Sequence, residues 1–180
     1  MTRFAFVAAV LAVASASVAT TPFAAQAVTV RTDRTIVQVA APGPANCVAT
    51  SAQDNAAAAQ ATNQQRRAQG LRPVKPNARL AGVAAAHACD MARRGLMAHH
   101  GTATKGPGQR VKAVGYRSAL TAENIAAGPF GLGQVLAIWN VSKGHLHNIL
   151  IPQISEVGIG RAVSADGRTV FWAAVYAAPR

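Results

Sequence analysis

The feature that most constrains this chain is a stretch near its C-terminus that is apolar on both faces. From Thr169 to Ala177, Val170, Trp172, Ala174 and Tyr176 alternate with Phe171, Ala173 and Val175. A strand with one polar face can lie at a surface, but a strand with none must be covered on both sides. Its partner is the run Glu156 to Val163, because the intervening Ser164-Ala165-Asp166-Gly167-Arg168 carries the Asp-Gly of a tight hairpin turn. The covering layers must come from upstream, where the apolar period changes to that of helices.

Ser51 reads as the cap of a first helix, with Ala56 to Gln69 free of Gly and Pro until Gly70. Leu71 to Pro76 is an extended connection, since each proline removes a donor and biases its predecessor away from helix. Asn77 caps a second helix that stops at Gly95; Leu80, Val83, Ala84, His87 and Met91 form its buried stripe. His87 on that stripe reads as a hydrogen-bonded core histidine rather than a ligand. A short third helix spans Arg110 to Ala113. Leu132 to Val141 is a fourth, with Val135, Leu136 and Trp139 inward; Ser142-Lys143-Gly144 breaks it, and a further turn runs from His145 to Leu150. Helices first and an antiparallel hairpin last predict an α+β fold, an α–β–α sandwich with an antiparallel sheet.

The first 27 residues are not read as fold. Arg3, the apolar run Phe4 to Ala14 and the small-residue end Ala25-Gln26-Ala27 have the form of a secretory signal peptide. The run is too short and Ala-rich for a permanent membrane span, so no transmembrane anchor is expected after cleavage. Residues 28–50 read as an extended linker, with one extended segment near Thr35 to Val39, and residues 51–180 as the domain. An extracytoplasmic location, secreted or periplasmic, follows. In that compartment Cys47 and Cys89 read first as one disulfide, closing a loop of about forty residues for roughly 2–4 kcal/mol. Two unpaired thiols are the alternative.

Eighteen Lys and Arg against six Asp and Glu give a formal charge of +12, or +11 once Arg3 leaves with the leader. Such a charge favours anionic partners, namely envelope polymers or lipid head groups. Nucleic acid is a poor candidate for an exported chain with few aromatics. Against this background Glu123 stands out, an isolated acid flanked by Ala119, Leu120 and Ala122 before it and Ile125, Ala126 and Ala127 after it. A carboxylate among such neighbours requires a cation, several donors or a metal. His99 and His100 upstream, and His145 and His147 downstream, are candidate partners, and the chain is expected to bring Glu123 between those two segments.

The motifs, taken in order, resemble a known family. They are Asn63-x-x-Arg66-x-x-x-Gly70-Leu71-x-Pro73, Asp90-Met91, Met97-Ala98-His99-His100-Gly101, Gly115-Tyr116 and Glu123-Asn124-Ile125-Ala126-Ala127-Gly128. Trp139-x-x-Ser142-x-Gly144-His145-x-x-Asn148-Ile149-Leu150 and Glu156-Val157-Gly158-Ile159-Gly160 complete the series. This resembles the bacterial branch of the cysteine-rich secretory, antigen-five and pathogenesis-related superfamily, the CAP or SCP domain, over about Ala56 to Ala177. The resemblance implies a cleft lined by His99, Glu123 and His145 that can hold a divalent cation such as zinc or magnesium. Three departures accompany it. Asn140, Val141 and Ser142 follow Trp139 where eukaryotic members carry a second cleft glutamate. Their Gly-His-Tyr motif before the central strand is missing, and Leu146 replaces an arginine usual in bacterial members.

Two imidazoles and a carboxylate are a reasonable zinc set with a fourth position for water, and such a site can activate that water for hydrolysis. The alternative is a hydrogen-bonded network that pins the cleft loops. Ser142 lies near His145, but no Gly-x-Ser-x-Gly elbow is present, and it reads better as a helix cap. Glu156 is a possible acid or base, more simply a strand start; Trp139 and Trp172 read as core. The favoured expectation is a secreted module binding lipid or an anionic envelope component. A metal-dependent hydrolase with Glu123 as candidate catalytic residue, and an inert structural envelope protein, are the alternatives. Nothing in the sequence bears on oligomeric state.

Overall fold

The computed structural model describes residues 36–180; residues 1–27, which the sequence reads as a signal peptide, and the start of the expected linker lie outside them. Short strands β1 (Val37–Gln38) and β2 (Asn46–Val48) precede helix α1 (Ala52–Ala68), and β3 (Lys75–Pro76) leads into α2 (Ala78–Arg94). Then follow β4 (Leu96–Met97), α3 (Pro107–Ala113) and β5 (Ser118–Gly128). Helices α4 (Leu132–Val141) and α5 (Lys143–Ile149) and the hairpin β6 (Glu156–Val163) and β7 (Val170–Pro179) complete the chain.

The hairpin is the middle of the molecule. In the five-stranded sheet the order is β2-β6-β7-β5, with β3 parallel to β6 at its Glu156 end. Side-chain alternation on β7 then feeds two cores. Phe171, Ala173 and Val175 pack with Leu80, Val83, Ala84 and Met91 of α2 and Val111 of α3. Trp172, Ala174 and Tyr176 pack with Ala58 and Ala59 of α1, Val135 and Trp139 of α4, and Ile149 of α5. The result is the α–β–α sandwich expected from a strand apolar on both faces.

Local chemistry sets the helix ends. The Ser51 hydroxyl accepts from the Asp54 N–H at 3.0 Å, and the Asn77 side chain accepts from Arg79 and Leu80 at 2.9 and 3.1 Å. Gly95 ends α2 with φ +66°, where a Cβ would stand 2.0 Å from the Ala40 carbonyl. Helix α2 lies directly on β6 because Gly158 and Gly160 face it: a Cβ on either would come within 2.1 Å of an α2 backbone nitrogen. A second buried device is Arg66, fully enclosed. Its guanidinium donates to the carbonyls of Arg72, Ile149 and Ile151 at 2.7–2.9 Å, pinning the chain that leaves α5.

Three sequence expectations change. Residues 118–128, where the sequence pattern predicts no helix or strand, are the long strand β5, on the sheet's outer side beside β7. Helix α5 begins at Lys143, so the break after α4 is confined to Ser142, whose side chain makes no capping bond. The described part of the 28–50 segment is extended but docked: β1 pairs with β4, and β2 joins the sheet as an outer strand beside β6. The disulfide Cys47–Cys89 ties that β2 edge to α2, with Cα atoms 5.2 Å apart.

Candidate functional site

The site is built on β5. Being an outer strand, β5 has one row of carbonyls with no strand to donate to them, and side chains from the helical layer supply donors instead. Asn148 Nδ2 donates to the Glu123 carbonyl at 3.0 Å, and Trp139 Nε1 to the Ile125 carbonyl at 3.4 Å. Consecutive residues of the strand point to opposite faces, so Glu123 and Asn124 enter different layers.

Glu123 turns toward α2 and α3 and is almost fully buried. His99 Nδ1 lies 2.9 Å from its Oε1, and an Arg110 guanidinium nitrogen donates to Oε2. His87 Nε2 stands 3.7 Å from Oε1 and donates to the Ala98 carbonyl at 3.0 Å. Burial alone pushes the Glu123 carboxyl up. The His99 hydrogen bond and the charges of His87 and Arg110 outweigh it and hold the group below its ordinary value of 4.5. Arg110 also donates to the His99 carbonyl at 3.0 Å, so one guanidinium fixes both the carboxylate and the loop that carries the histidine. That loop is tied again at Asp90, which accepts from Thr102 N at 3.0 Å and pairs with Arg94 at 3.0 Å.

Asn124 turns the other way. Its amide donates to the His145 carbonyl at 3.2 Å and the Tyr176 hydroxyl at 3.3 Å, and accepts from Asn148 at 2.9 Å. His145 sits in this layer against Trp139, with ring centroids 6.2 Å apart. Its ring is buried and its Nδ1 has no hydrogen-bond partner. Burial, reinforced by the charge of His99, lowers its pKa to about 4. Burial likewise lowers His87 to about 4.

The strand thus does run between the two histidine segments, but the Glu123 side chain joins only one. His99 and Glu123 are in direct contact; His145 belongs to the opposite helical layer and approaches from across the strand. Among the described residues no three His, Cys, Asp or Glu side chains are grouped to hold a metal ion. Both Glu123 oxygens are already engaged, one of them by a guanidinium whose charge opposes a cation there. His100 is half-buried and His147 exposed, and neither is bonded to Glu123. Glu156 stands apart at the start of β6, accepting from Asn77 at 2.9 Å and from Tyr116. Sequence reasoning assigns no role to Arg110, Asn148 or Asn124. The signal for a cation was present in the isolation of Glu123, but among so many basic residues nothing singled out Arg110.

The family model described as the cysteine-rich secretory protein family, CAP, matches residues 59–176. The chain belongs to the CAP family. A bacterial relative, YkwD of Bacillus subtilis, is 31% identical over 105 residues, which cover 58% of this chain and 41% of the relative. An extracellular SCP-domain protein of Bacillus anthracis superposes with a TM-score of 0.62 at 25% identity, covering 70% of this CAP chain and 40% of that one. An outer surface protein of Borrelia burgdorferi, at 18% identity, shares the fold with a TM-score of 0.63 over 73% of this chain and 96% of its own. The chain therefore spans about two fifths of the length of the two Bacillus proteins.

Proposed function

We propose that this CAP domain works outside the cytoplasm as a binding module for an anionic envelope component, lipid or polymer, and not as a hydrolase. The observation that carries the reading is the engagement of Glu123. A general base needs a free lone pair near the reacting proton and a pKa near the working pH. Glu123 has both oxygens bonded, is sealed from water and is held below the usual carboxylate range. It serves better as an anchor for the His99 loop.

Charge supports the nature of the partner. Of the described acids, Glu123 is buried, while Asp90 and Glu156 are half-buried and bonded to their neighbours. Asp54 and Asp166 are left against a surface that exposes Arg79, Lys112, Arg117 and Arg180 around contiguous hollows near Gly115. The extracellular Bacillus anthracis protein and the outer-surface Borrelia protein support the compartment, as does the leader-like start of the sequence. No helix among the described residues is long and apolar enough to cross a membrane.

A divalent cation enters this proposal in one form. Glu123 accepts from His99 Nδ1, which leaves Nε2 as the nitrogen able to bind a metal, an orientation carboxylates commonly impose on ligating histidines. Nδ1 of His145 is also without a partner. These two imidazoles would be the ligands, with Glu123 as orienting group, and a bound ion would supply a positive charge for an anionic head group.

The test is co-sedimentation with phosphatidylglycerol vesicles and, separately, with a soluble polyphosphate, at rising salt and with or without EDTA. Binding that falls as salt rises, with no chelator-sensitive ester or peptide hydrolysis, is expected. Hydrolysis abolished by EDTA and by Glu123→Gln would overturn the reading in favour of the enzyme.

A further inference from the structure

At the end of the sheet remote from the β6–β7 turn, two hollows of ≈ 620 and ≈ 410 Å³ adjoin. They share Gly115, Tyr116 and Arg117, and so form one trough past the end of α3 and the start of β5. Arg79 borders the wider hollow, Lys112 and Arg180 the narrower, and Arg117 both. All four residues are exposed. Short contacts hold them together. The Arg180 N–H donates to the Arg117 carbonyl at 3.0 Å, the Gly115 N–H to the Lys112 carbonyl at 3.0 Å, and Arg79 Nη1 to the Gly115 carbonyl at 3.4 Å.

These cations have no counter-charge of their own. Among the described residues the arginine ion pairs are Arg94 with Asp90 and Arg110 with Glu123, and none of the four along the trough forms one. The wall of the narrower hollow holds no acidic side chain. The wider hollow has one, Glu156, whose Oε2 already accepts from Asn77 and Tyr116. Like charges gathered in this way repel one another and add nothing to the stability of the fold; an anion in the trough relieves that repulsion. Guanidinium forks take phosphate oxygens in pairs, and Ser118 adds a hydroxyl in the narrower hollow. The spread of the cations sets the shape of the ligand. A single small anion engages one hollow and part of the set, whereas a chain with repeating charges engages both. Head groups in a bilayer lie in a plane and do not fill two sunken hollows.

We infer that this trough binds an extended polymer of phosphate groups, its charges shared among Arg79, Lys112, Arg117 and Arg180. The inference rests on the proposed binding of an anionic envelope component, and narrows it from lipid or polymer to polymer. It also separates the anion from the cleft, since Ser118 precedes Glu123 by five residues of β5, about 17 Å along a strand.

The experiment is calorimetric titration of the purified protein with long-chain polyphosphate, orthophosphate and phosphatidylglycerol vesicles. Saturable polyphosphate binding is expected, with orthophosphate at least tenfold weaker at equal phosphate content. Lys112→Glu combined with Arg117→Glu should weaken polyphosphate at least tenfold. The control is Arg93→Glu with Arg168→Glu, the same change in charge on exposed residues at the other end of the sheet. Arg168 lies in the β6–β7 turn, and the Arg93 carbonyl binds Gly43, beside Ala165 of that turn. That pair should weaken binding far less. All four positions are exposed, so both variants should keep the parent's melting temperature. If either does not, amide NMR shifts of the parent at Gly108, Gly115 and Ser118 on adding polyphosphate decide the matter, and their absence overturns the inference. Equal losses in the two variants would overturn this site and leave the charge-driven reading standing. Vesicles bound where polyphosphate is not would overturn the polymer and keep the lipid arm of the proposed function; binding of neither would overturn both. Orthophosphate as tight as polyphosphate would also overturn the inference, reducing the trough to a pocket for a lone anion.

Discussion

Glu123 and Asn124 are adjacent on β5 and enter opposite layers of the sandwich with opposite kinds of chemistry. On the α2–α3 side the carboxylate is gripped by a guanidinium and an imidazole, with a second imidazole close by. On the α5 side the amide exchanges neutral hydrogen bonds with a backbone carbonyl, a tyrosine hydroxyl and another amide. Both hold the same strand to its neighbours, but a buried ion pair becomes a large penalty when one partner is lost, whereas a neutral hydrogen bond costs about 1–3 kcal/mol when broken. Each side also holds a buried histidine whose pKa burial lowers to about 4, His87 beside the carboxylate and His145 in the amide's layer. One dipeptide thus fixes both walls of the cleft, and the two walls differ in what the loss of a partner costs.

The largest effect that would break this comparison is expected from Arg110→Leu, which leaves Glu123 buried without its guanidinium. It should cost about 3–5 kcal/mol in denaturant unfolding, and Glu123→Leu added to it should recover a substantial part. A double variant no more stable than Arg110→Leu alone would show that the ion pair does not carry this layer. Asn124→Ala comes next, at about 1–3 kcal/mol, and should leave the pH profile of stability unchanged in shape.

The pH profile draws on both layers. His87 and His145 titrate near 4 in the fold against an ordinary 6.5, because burial disfavours their charged forms. The unfolded chain therefore takes up protons before the folded one does. Their contribution is complete above pH 6.5 and is lost as pH falls from there toward 4. Glu123, held below 4.5, adds a loss at still lower pH. The melting temperature should be level above pH 7 and fall steadily below 6.5, and His145→Phe, if it folds, should flatten that fall. The smallest effect, about 1 kcal/mol, is expected for His99→Ala. That side chain is 34% exposed, so solvent screens part of its interaction with Glu123.

The parts of this architecture legible in the sequence were those set by local pattern. The two-faced strand at Thr169 to Ala177 predicted both covering layers, and Asn77 and Gly95 marked the ends of α2 because capping is a short-range bond. The family resemblance picked out His99, Glu123 and His145. Strand β5 was not read as a strand because its buried half, Ala122 to Gly128, mixes alanines with Glu and Asn, and period-two burial is hard to see when the inward side chains are small or polar. The partner of Glu123 was out of reach for a different reason. Arg110 is thirteen residues away on another element, and its selection depends on how α3 packs against β5, which no local pattern encodes. The same limit hid the layer assignment of His145: the resemblance puts it in the cleft with Glu123, whereas strand alternation turns Glu123 to the other side.

The most direct test of the central claim is a carbon-13 NMR titration of the Glu123 side-chain carboxyl, assigned by comparison with Glu123→Gln. An ionised anchor predicts a signal that stays in its deprotonated position from neutral pH down through 4.5 and moves only below it. A midpoint between pH 6 and 7 would mean a carboxyl poised to accept a proton, and would return Glu123 to the role of a catalytic base.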